Sequence, residues 1–291
     1  MAHRESDVFV QLERFYDAVP RDAAVTEDIG GFVLFIRDGA GWPYYARPRM
    51  GAATPSAADV TAVRQRQRGL GVPEAFEWVH ETTPDLLAVA RSAGLEVLLA
   101  PLMVLERAAL VPDLPVAGAQ IRILDPAVPG FAADLAASRA VAALSFGVPA
   151  VATPLDAVGR AGLVIEAAGP GERDAIPAPS DDEIEADRTR AASGRFVSAV
   201  ADSPTEGILA SGMLQTAGEV GEVVGVATLP AARRRGYASQ LTATLARHGL
   251  QHGIDTVFLS SADDDVARLY SKVGFRRVGT ACIAEPAAAL L

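Results

Sequence analysis

The sequence has little that would tie the protein to an oxidising compartment or a membrane. Its 291 residues include a single cysteine, Cys282, so no disulfide can form within the chain. The longest apolar stretches, such as Leu95–Leu105, are shorter than the about 20 residues that a spanning helix needs. The polar start of the chain is followed by no apolar core, so no signal peptide is predicted. We expect a cytoplasmic protein with no membrane contact.

Positive charge is also scarce. The formal net charge is -10, and Lys272 is the only lysine, since arginine supplies the other cationic residues. Binding to nucleic acid is not expected, because a phosphate backbone favours basic surfaces. An acidic protein is better suited to a small cationic amine as its ligand. Half of the residues are hydrophobic, which is enough to build a sizeable core.

The length of the chain suggests two domains of ordinary size, because a single core usually stops growing at about 100 to 200 residues. A segment with two prolines and an acid, Val111–Pro115, is a plausible short linker. We therefore expect one domain over residues 1–112 and a second over residues 118–286.

An internal repeat supports this division. Two stretches, one beginning at Arg68 and one at His248, read alike at an offset of 180 residues. Each predicts the end of a helix, then a strand, a second helix and a glycine that ends it. The strands are Ala75–His80 and Asp255–Ser260, the second helices are Pro84–Ala93 and Asp263–Val273, and the glycines are Gly94 and Gly274. Chance similarity is the alternative that this pattern leaves open.

Other elements follow from apolar alternation and turn residues. The predicted strands are Gly31–Arg37 and Pro43–Arg47, joined by a turn at Asp38-Gly39, and Gln120–Leu124, Phe196–Ala201, Gly207–Thr216 and Val220–Leu229. A helix is predicted over Gly130–Phe146. Residues Ala167–Arg190 are rich in Pro, Gly, Asp and Glu, and we expect them to form a mobile loop or lid.

One stretch of the second half combines an apolar strand, a basic turn and a helix. The turn holds Arg233, Arg234 and Arg235, and the helix begins after Gly236. A helix N-terminus presents unpaired backbone N–H groups and partial positive charge, which together attract phosphate. Small residues at Gly236 and Ala238 let a ligand approach the backbone closely. The stretch predicts a phosphate or pyrophosphate site, with a basic turn that only caps a helix as the alternative.

These residues resemble a known motif. Arg233-x-x-Gly236-x-Ala238, placed after a strand, resembles the acyl-CoA pyrophosphate loop of the GNAT acetyltransferases. A second segment, from Asp264 and Ala267 through Leu269-Tyr270 to Gly274-Phe275, is similar to the family motif that follows. The resemblance covers most of the second half. It implies an α/β (α+β) fold of two tandem GNAT-like domains, each a mixed, mostly antiparallel sheet flanked by helices, with the first a degenerate copy.

The same resemblance implies that acetyl-CoA is the acyl donor and that no metal is needed. Backbone groups of Val226, Ala227 and Thr228 would pair with the pantetheine arm. The pyrophosphate would bind the turn and the start of the helix, which comprise Arg233, Arg234, Arg235, Gly236, Tyr237, Ala238 and Ser239. Asp264 stands where the family usually has an asparagine that reaches the pantetheine. A carboxylate cannot donate a hydrogen bond there and is costly to bury without a partner.

Two side chains are candidates for proton transfer. Acyl transfer to an amine needs a neutral amine, a stabilised oxyanion and a proton for the leaving thiolate. Glu222 lies where some family members carry a general base, although a glutamate near a strand end is more often solvated. Tyr270 matches the family tyrosine and would protonate the thiolate; a tyrosine buried in the core is its alternative. A backbone N–H near Ala227 or Thr228 would hold the oxyanion.

The first half carries no equivalent site. Arg66-Gln67-Arg68-Gly69-Leu70-Gly71 has similar spacing, but it lies at the end of a predicted helix, whereas a phosphate loop must open one. At the offset of the repeat, the second-half loop falls on residues 53–58, which lack both arginine and glycine. We expect the first half to be a structural partner.

The predicted function is therefore N-acetyl transfer from acetyl-CoA to a primary amine on a small molecule or a protein. An acyl-CoA sensor without catalysis and a purely structural tandem are the alternatives. His248 and His252 have metal-ligand spacing on a helix but no third ligand, so metal binding is not expected. The sequence identifies neither the acceptor nor the oligomeric state.

Overall fold

The computed structural model describes residues 2–38, 44–146 and 168–287, with side chains from Val8 on. The chain divides into two compact units. Unit 1 comprises Met1–Leu102, Ser260–Asp263 and Val278–Leu291, and unit 2 comprises Met103–Leu259 and Asp264–Arg277. None of the described helices is both long enough and apolar enough to cross a bilayer.

Unit 1 begins with a long helix and contains two further helices and strands from a six-strand set, of which β5 and β11 continue into unit 2. The helices are α1 (Ala2–Arg21), α2 (Ala57–Leu70) and α3 (Leu86–Ser92), and the strands are β1 (Ala24–Ile29), β2 (Phe32–Arg37), β3 (Ala46–Pro48), β4 (Phe76–Val79), β5 (Leu95–Leu105) and β11 (Phe275–Pro286). Strands follow each other as β1-β2-β3-β4-β11. Pairing is antiparallel except between β3 and β4, which run parallel.

The core of unit 1 lies between its sheet and helices α2 and α3. Phe32, Phe76 and Trp78 of the sheet pack in one buried cluster with Val60 of α2 and Leu86 of α3. Burying side chains of this size contributes about 1.5–3 kcal/mol each. Alternate residues of β2 fall in two clusters, since Phe32 and Leu34 belong to this one and Val33 and Phe35 to a second, so both faces of β2 are covered.

Unit 2 contains the larger set of elements. They are β6 (Gln120–Ile123), α4 (Phe131–Phe146), α5 (Pro170–Asp174), α6 (Asp181–Ala192), β7 (Phe196–Ser203), β8 (Gly207–Ala217), β9 (Val220–Thr228), α7 (Tyr237–Gln251), β10 (Thr256–Ser260) and α8 (Asp264–Val273). The strand order is β10-β9-β8-β7-β6. Only the pair of β9 and β10 is parallel among these neighbours.

Helices cover both faces of the unit 2 sheet. On one face, the Ser211 hydroxyl of β8 donates to the Ser138 carbonyl oxygen of α4 at 3.1 Å. On the other face, a Cβ at Gly212 would lie 3.3 Å from Leu245 of α7. Successive residues of a strand point to opposite faces. Helices α4 and α7 therefore lie on opposite sides, and both units confirm the predicted class of mixed, mostly antiparallel sheets flanked by helices.

Elements in the first and second halves of the chain correspond at the offset of the repeat. Helix α2 begins at residue 57 and α7 at 237, β4 begins at 76 and β10 at 256, and β5 begins at 95 and β11 at 275. The parallel strand pair around the helix also recurs, as β3 with β4 and as β9 with β10. The repeated order is thus strand, helix, parallel strand, helix and strand.

The prediction of a mobile loop over Ala167–Arg190 was wrong. The described part of this segment contains α5 and most of α6. Ser180 and Glu183 form a capping box, in which the Ser180 N–H donates to the Glu183 carboxylate at 2.9 Å. Acidic residues that suggested a loop therefore lie in the first turn of α6, where the helix dipole favours them. Ala167 itself lies outside the described residues.

Two more segments differ from the sequence-based expectation. Helix α1 is an element beyond the sequence-based prediction, although Leu12, Phe15 and Tyr16 recur at helical spacing and are all buried. The predicted strand Pro43–Arg47 corresponds to the shorter β3. Gly39 of the predicted turn and Pro43, the first residue of this predicted strand, lie outside the described residues.

Candidate active site

The candidate site is built where β9 ends and α7 begins. After Thr228, residues Pro230–Ala232 form a short 3-10 turn, and the N–H of Leu229 donates to the Leu209 carbonyl at 2.9 Å. Arg234 and Gly236 then adopt left-handed backbone conformations, with φ of 64° and 84°. Such a conformation is rare for a residue with a side chain and is often kept where the backbone serves a function. Helix α7 starts directly at Tyr237.

The N-terminus of α7 has no side-chain cap. Gly236 is the N-cap residue and offers no acceptor to the first N–H groups of the helix. Residues Arg233–Gly236 are exposed. Arg235 lies 3.4 Å from the Glu206 carboxylate, a partly exposed pair, and Arg233 approaches the Ser145 carbonyl oxygen at 3.4 Å. Helix N–H groups without a side-chain cap, beside exposed guanidinium groups, are features that favour an anion.

The corresponding helix of unit 1 is capped by its own side chains. Ser56 is the N-cap of α2, and its hydroxyl accepts from the Asp59 N–H at 3.2 Å. The Asp59 carboxylate accepts from the Ser56 N–H at 2.8 Å, and these bonds to the charged form lower the pKa of Asp59. A carboxylate thus occupies the end of α2, where it satisfies the donors and repels another anion. The rejected motif Arg66–Gly71 lies at the other end of α2, where Gly71 is the C-cap.

An open edge of β9 runs toward the turn. The parallel register pairs Val220–Glu222 with Thr256–Phe258, and β10 ends two residues later, whereas β9 continues to Thr228. A register shift on the β8 side falls between Ser211 and Met213, where β9 has one residue more and Gly225 has a φ of 60°. Backbone groups of Val226–Thr228 on the β10 side therefore extend beyond the end of β10. An extended ligand can pair with such an edge.

Glu222 is buried within the sheet. It is the third residue of β9, and only 2% of its surface is exposed. Its neighbours across the strands are Gln215 on β8 and Phe258 on β10. The interpretation of Glu222 as a solvated residue at a strand end is therefore wrong. Ionisable groups buried in this way are uncommon in proteins and are often found at functional sites.

Tyr270 lies on α8 and belongs to the hydrophobic core of unit 2. It is 8% exposed, and its ring packs edge-on against Phe275 with 6.4 Å between centroids. Burial disfavours the phenolate and raises the pKa of Tyr270 to about 12. The hydroxyl therefore stays protonated near neutral pH, as a proton donor must.

Asp264 is exposed at the start of α8. Its carboxylate lies 3.2 Å from Arg277, and 74% of its side chain is accessible. The cost of burying an unpaired carboxylate therefore does not arise at this position. An exposed acid in the first turn of a helix is also favoured by the helix dipole.

Helices α7 and α8 pack against each other, so the structure places the turn, β9 and the helix of Tyr270 in one unit.

Gln215 was missed from the sequence, because an isolated glutamine in an alternating strand carries no motif. Its alignment with Glu222 becomes visible only through the register of β8 and β9. Among the described residues, no group of His, Cys, Asp or Glu is arranged to hold a metal, and His248 and His252 stack at 4.0 Å.

Comparisons with known proteins agree with this geometry. The sequence model of the Acetyltransferase (GNAT) family matches residues 164–275. A GCN5-related N-acetyltransferase from Kribbella flavida is 18% identical, with a TM-score of 0.69 and 97% of each chain covered. A GCN5-related N-acetyltransferase from Sphaerobacter thermophilus is 16% identical, with a TM-score of 0.55, 91% of this chain and 84% of that chain covered.

A tandem GNAT protein from the clavulanic acid biosynthesis pathway is 14% identical, with a TM-score of 0.52, and the match covers 90% of this chain and 80% of that one. A comparison with curated proteins gives no match. At these identities the solved structures show likeness of fold, and the family assignment comes from the sequence model. Residues 164–275, which include strand β9 and the N-terminus of α7, thus match the sequence model of the GNAT acetyltransferase family.

Proposed function

We propose that this domain transfers the acetyl group of acetyl-CoA to a primary amine by direct attack of the amine on the thioester. The observation that carries the proposal is the N-terminus of α7, which has no side-chain cap and is flanked by arginines. It follows strand β9, which extends beyond the end of its parallel neighbour β10. This arrangement suits a ligand with an anionic end and an extended arm. Acetyl-CoA has both, and it would supply an activated acetyl thioester.

Backbone and arginine groups bind and orient the donor in this proposal. N–H groups from Arg234 to Ser239 hold the pyrophosphate, and the guanidinium groups of the turn add charge. Backbone groups of Val226, Ala227 and Thr228 pair with the pantetheine arm. An N–H near Ala227 or Thr228 donates to the oxygen that gains negative charge during the attack. Asp264 contacts the arm only as an acceptor.

Protons move through Glu222 and Tyr270. Glu222 takes a proton from the incoming ammonium, which makes the amine nucleophilic. Tyr270 gives its proton to the departing thiolate, whose parent thiol has an ordinary pKa of about 8.5. Burial of both side chains supports these roles, because bulk solvent competes less for the protons that buried groups exchange.

The first half of the chain takes a supporting role in this proposal. We assign the degenerate copy to residues 1–112 and the catalytic domain to residues 118–286. The Ser56–Asp59 capping box supports this assignment, because it closes the helix end that would correspond to the pyrophosphate site. The acceptor is a small-molecule or protein amine, and the net charge of -10 favours a cationic one.

Turnover tests the proposal against a sensor without catalysis. Acetyl-CoA is incubated with the full chain and a panel of polyamines, aminoglycosides, amino sugars and lysine peptides, and released CoA thiol is measured together with the mass of the acetylated product. Amine-dependent thiol release with a matching acetylated amine is expected. Tight acetyl-CoA binding with no product from any amine would favour the sensor.

A further inference from the structure

Four residues lie directly opposite one another across four strands of unit 2. Phe196 on β7 faces Gln215 on β8, Gln215 faces Glu222 on β9, and Glu222 faces Phe258 on β10. Directly opposite residues share one face of a sheet. We call these four residues the cross-strand row. It has two aromatic ends and a polar middle.

The row lies on the sheet face covered by α4 and α6. Gln215 points to the same side as Ser211, four residues earlier on β8, whose hydroxyl donates to α4. At the β7 end, the Arg190 guanidinium of α6 lies 5.8 Å from the centre of the Phe196 ring. Helix α4 contributes Arg139, which pairs with Asp187 and lies 3.7 Å from Glu183. It also contributes Asp134, which pairs with Arg122 at 2.8 Å. The face therefore keeps its charged groups paired around the row.

The polar middle of the row holds an acceptor without a donor. Gln215 is 4% exposed and Glu222 is 2% exposed. Within the part of the chain that the structure describes, no group donates to Oε1 of Gln215, which is buried. Buried amide oxygens in folded proteins nearly always receive a hydrogen bond, from the protein or from water. A carboxylate has room for several donors, so a partner of Glu222 does not exclude a second one.

We propose that Gln215 is a positioning residue that, together with Glu222, orients one water molecule for proton transfer from the amine. The inference rests on the proposed function and deepens it. Two neighbouring acceptors suit a water molecule, because its two O–H groups donate one to each. Its lone pairs are then directed away from both acceptors and toward the amine.

The proton balance of this step is simple. The ammonium N–H bond breaks and its proton passes to the water oxygen, while one water O–H bond breaks and that proton passes to the Glu222 carboxylate. The amine keeps its electron pair and becomes the nucleophile. Water is regenerated, and Glu222 ends protonated until solvent removes the proton. Gln215 exchanges no proton and only fixes the direction of the water.

The first test replaces Gln215 with leucine, which keeps the approximate size but removes the acceptor. We expect kcat with the best amine of the panel to fall about 10- to 100-fold, less than the about 100-fold or more for loss of a general base, because Glu222 itself remains. The dissociation constant of acetyl-CoA, measured by calorimetry, should stay unchanged. Gln67→Leu is a matched control, because Gln67 in unit 1 is also buried with an unpartnered Oε1. Its kcat should equal that of the wild type.

The second test, Gln215→Glu, separates positioning from packing. A second carboxylate beside Glu222 still accepts from water, but like charges raise the pKa at which the pair gives up its protons. The acidic limb of the kcat/KM profile should therefore move to higher pH by about one unit or more, with activity recovered above it. A residue that only packs would give no recovery at high pH.

Each outcome decides something. Lower kcat in Gln215→Leu, unchanged acetyl-CoA binding and a shifted limb in Gln215→Glu support the inference. Wild-type kcat and pH profile in Gln215→Leu would overturn it while leaving the proposed function intact. Loss of activity in both variants with no pH-dependent recovery would assign Gln215 a packing role only. A wild type that acetylates no amine would overturn the proposed function and this inference together.

Discussion

Gly274 lies so close to Ala109 that a Cβ on Gly274 would be 2.6 Å from the Ala109 carbonyl oxygen. Its φ of 120° is also one that residues with a side chain rarely adopt. This glycine belongs to the Gly-Phe pair of the second family segment and precedes β11. The position requires glycine for two reasons, the backbone conformation and the space.

Gly274→Ala should therefore destabilise unit 2 strongly. We expect the free energy of unfolding to fall by about 2 kcal/mol or more, because the backbone must shift to relieve the clash. Gly253→Ala is the matched control, since Gly253 has a φ of 87° but open space around a Cβ. It should cost only about 1 kcal/mol. Urea denaturation of both variants checks this, and equal losses would contradict the role of Ala109.

Tyr270→Phe should lower kcat without weakening acetyl-CoA binding. The hydroxyl is the proposed acid for the thiolate, and loss of a general acid typically costs about 100-fold or more. Burial raises the pKa of Tyr270 to about 12, so its proton is retained as the pH rises through the neutral range. The ratio of wild-type to mutant kcat should therefore stay constant from about pH 6 to 10. Steady-state kinetics across this range checks both statements.

Tyr45→Phe removes the hydroxyl of another buried tyrosine, in unit 1, and should leave kcat unchanged. A wild-type rate in Tyr270→Phe would remove Tyr270 from the mechanism. A ratio that falls toward one near pH 8 would instead mean that the hydroxyl ionises much earlier than burial predicts.

The capping box of α2 should contribute to the free energy of unfolding and should not affect the binding of acetyl-CoA. Asp59→Asn removes the carboxylate that accepts from the Ser56 N–H, and we expect a loss of about 1 kcal/mol at neutral pH. The folded-state pKa of Asp59 is lowered, so its contribution is present above the unfolded pKa and is lost as pH falls through the folded value. The difference between wild type and variant should thus shrink in acid. Thermal melts at neutral and acidic pH measure it.

The same variant tests where the donor binds. Calorimetry should show one acetyl-CoA per chain for both wild type and Asp59→Asn, because only the N-terminus of α7 is free of a side-chain cap in the two helices compared. A second binding event in the wild type would contradict the supporting role of the first half of the chain.

Arg233→Gln should weaken donor binding by electrostatics. Arg233 is exposed beside the uncapped helix, and charge-assisted contact with a phosphate contributes about 1 kcal/mol or more, equivalent to roughly fivefold in affinity. The difference from wild type should shrink at high salt, because salt screens exposed charges. Arg276→Gln, which removes an exposed arginine paired with Glu106, is the control and should bind normally. Equal affinities for wild type and Arg233→Gln at low salt would exclude this contact.

Patterns of local sequence predicted much of the fold. An apolar strand followed by arginines and glycine predicted β9, the turn and α7, because backbone requirements at such a turn leave a direct mark on residue type. The offset of the repeat predicted the corresponding elements of the two halves of the chain. Charge-rich α6 was misread as a loop, although Ser180 and Glu183 already carried the capping signal.

Burial and register could not be predicted in the same way. Whether Glu222 is solvated depends on which strands and helices surround β9, and that is a property of the whole sheet. The alignment of Gln215 with Glu222 depends on the register of β8 and β9, which includes a shift that no local pattern reveals.

Calorimetric titration of acetyl-CoA into the wild type and Gly236→Glu tests the central claim most directly. The added carboxylate would stand at the N-cap of α7 and repel the pyrophosphate, so the account predicts binding by the wild type and none by the variant. Gly253→Glu places the same charge at another left-handed glycine with open space and should bind as the wild type does. Equal binding by wild type and Gly236→Glu, or no binding by the wild type, would contradict the account.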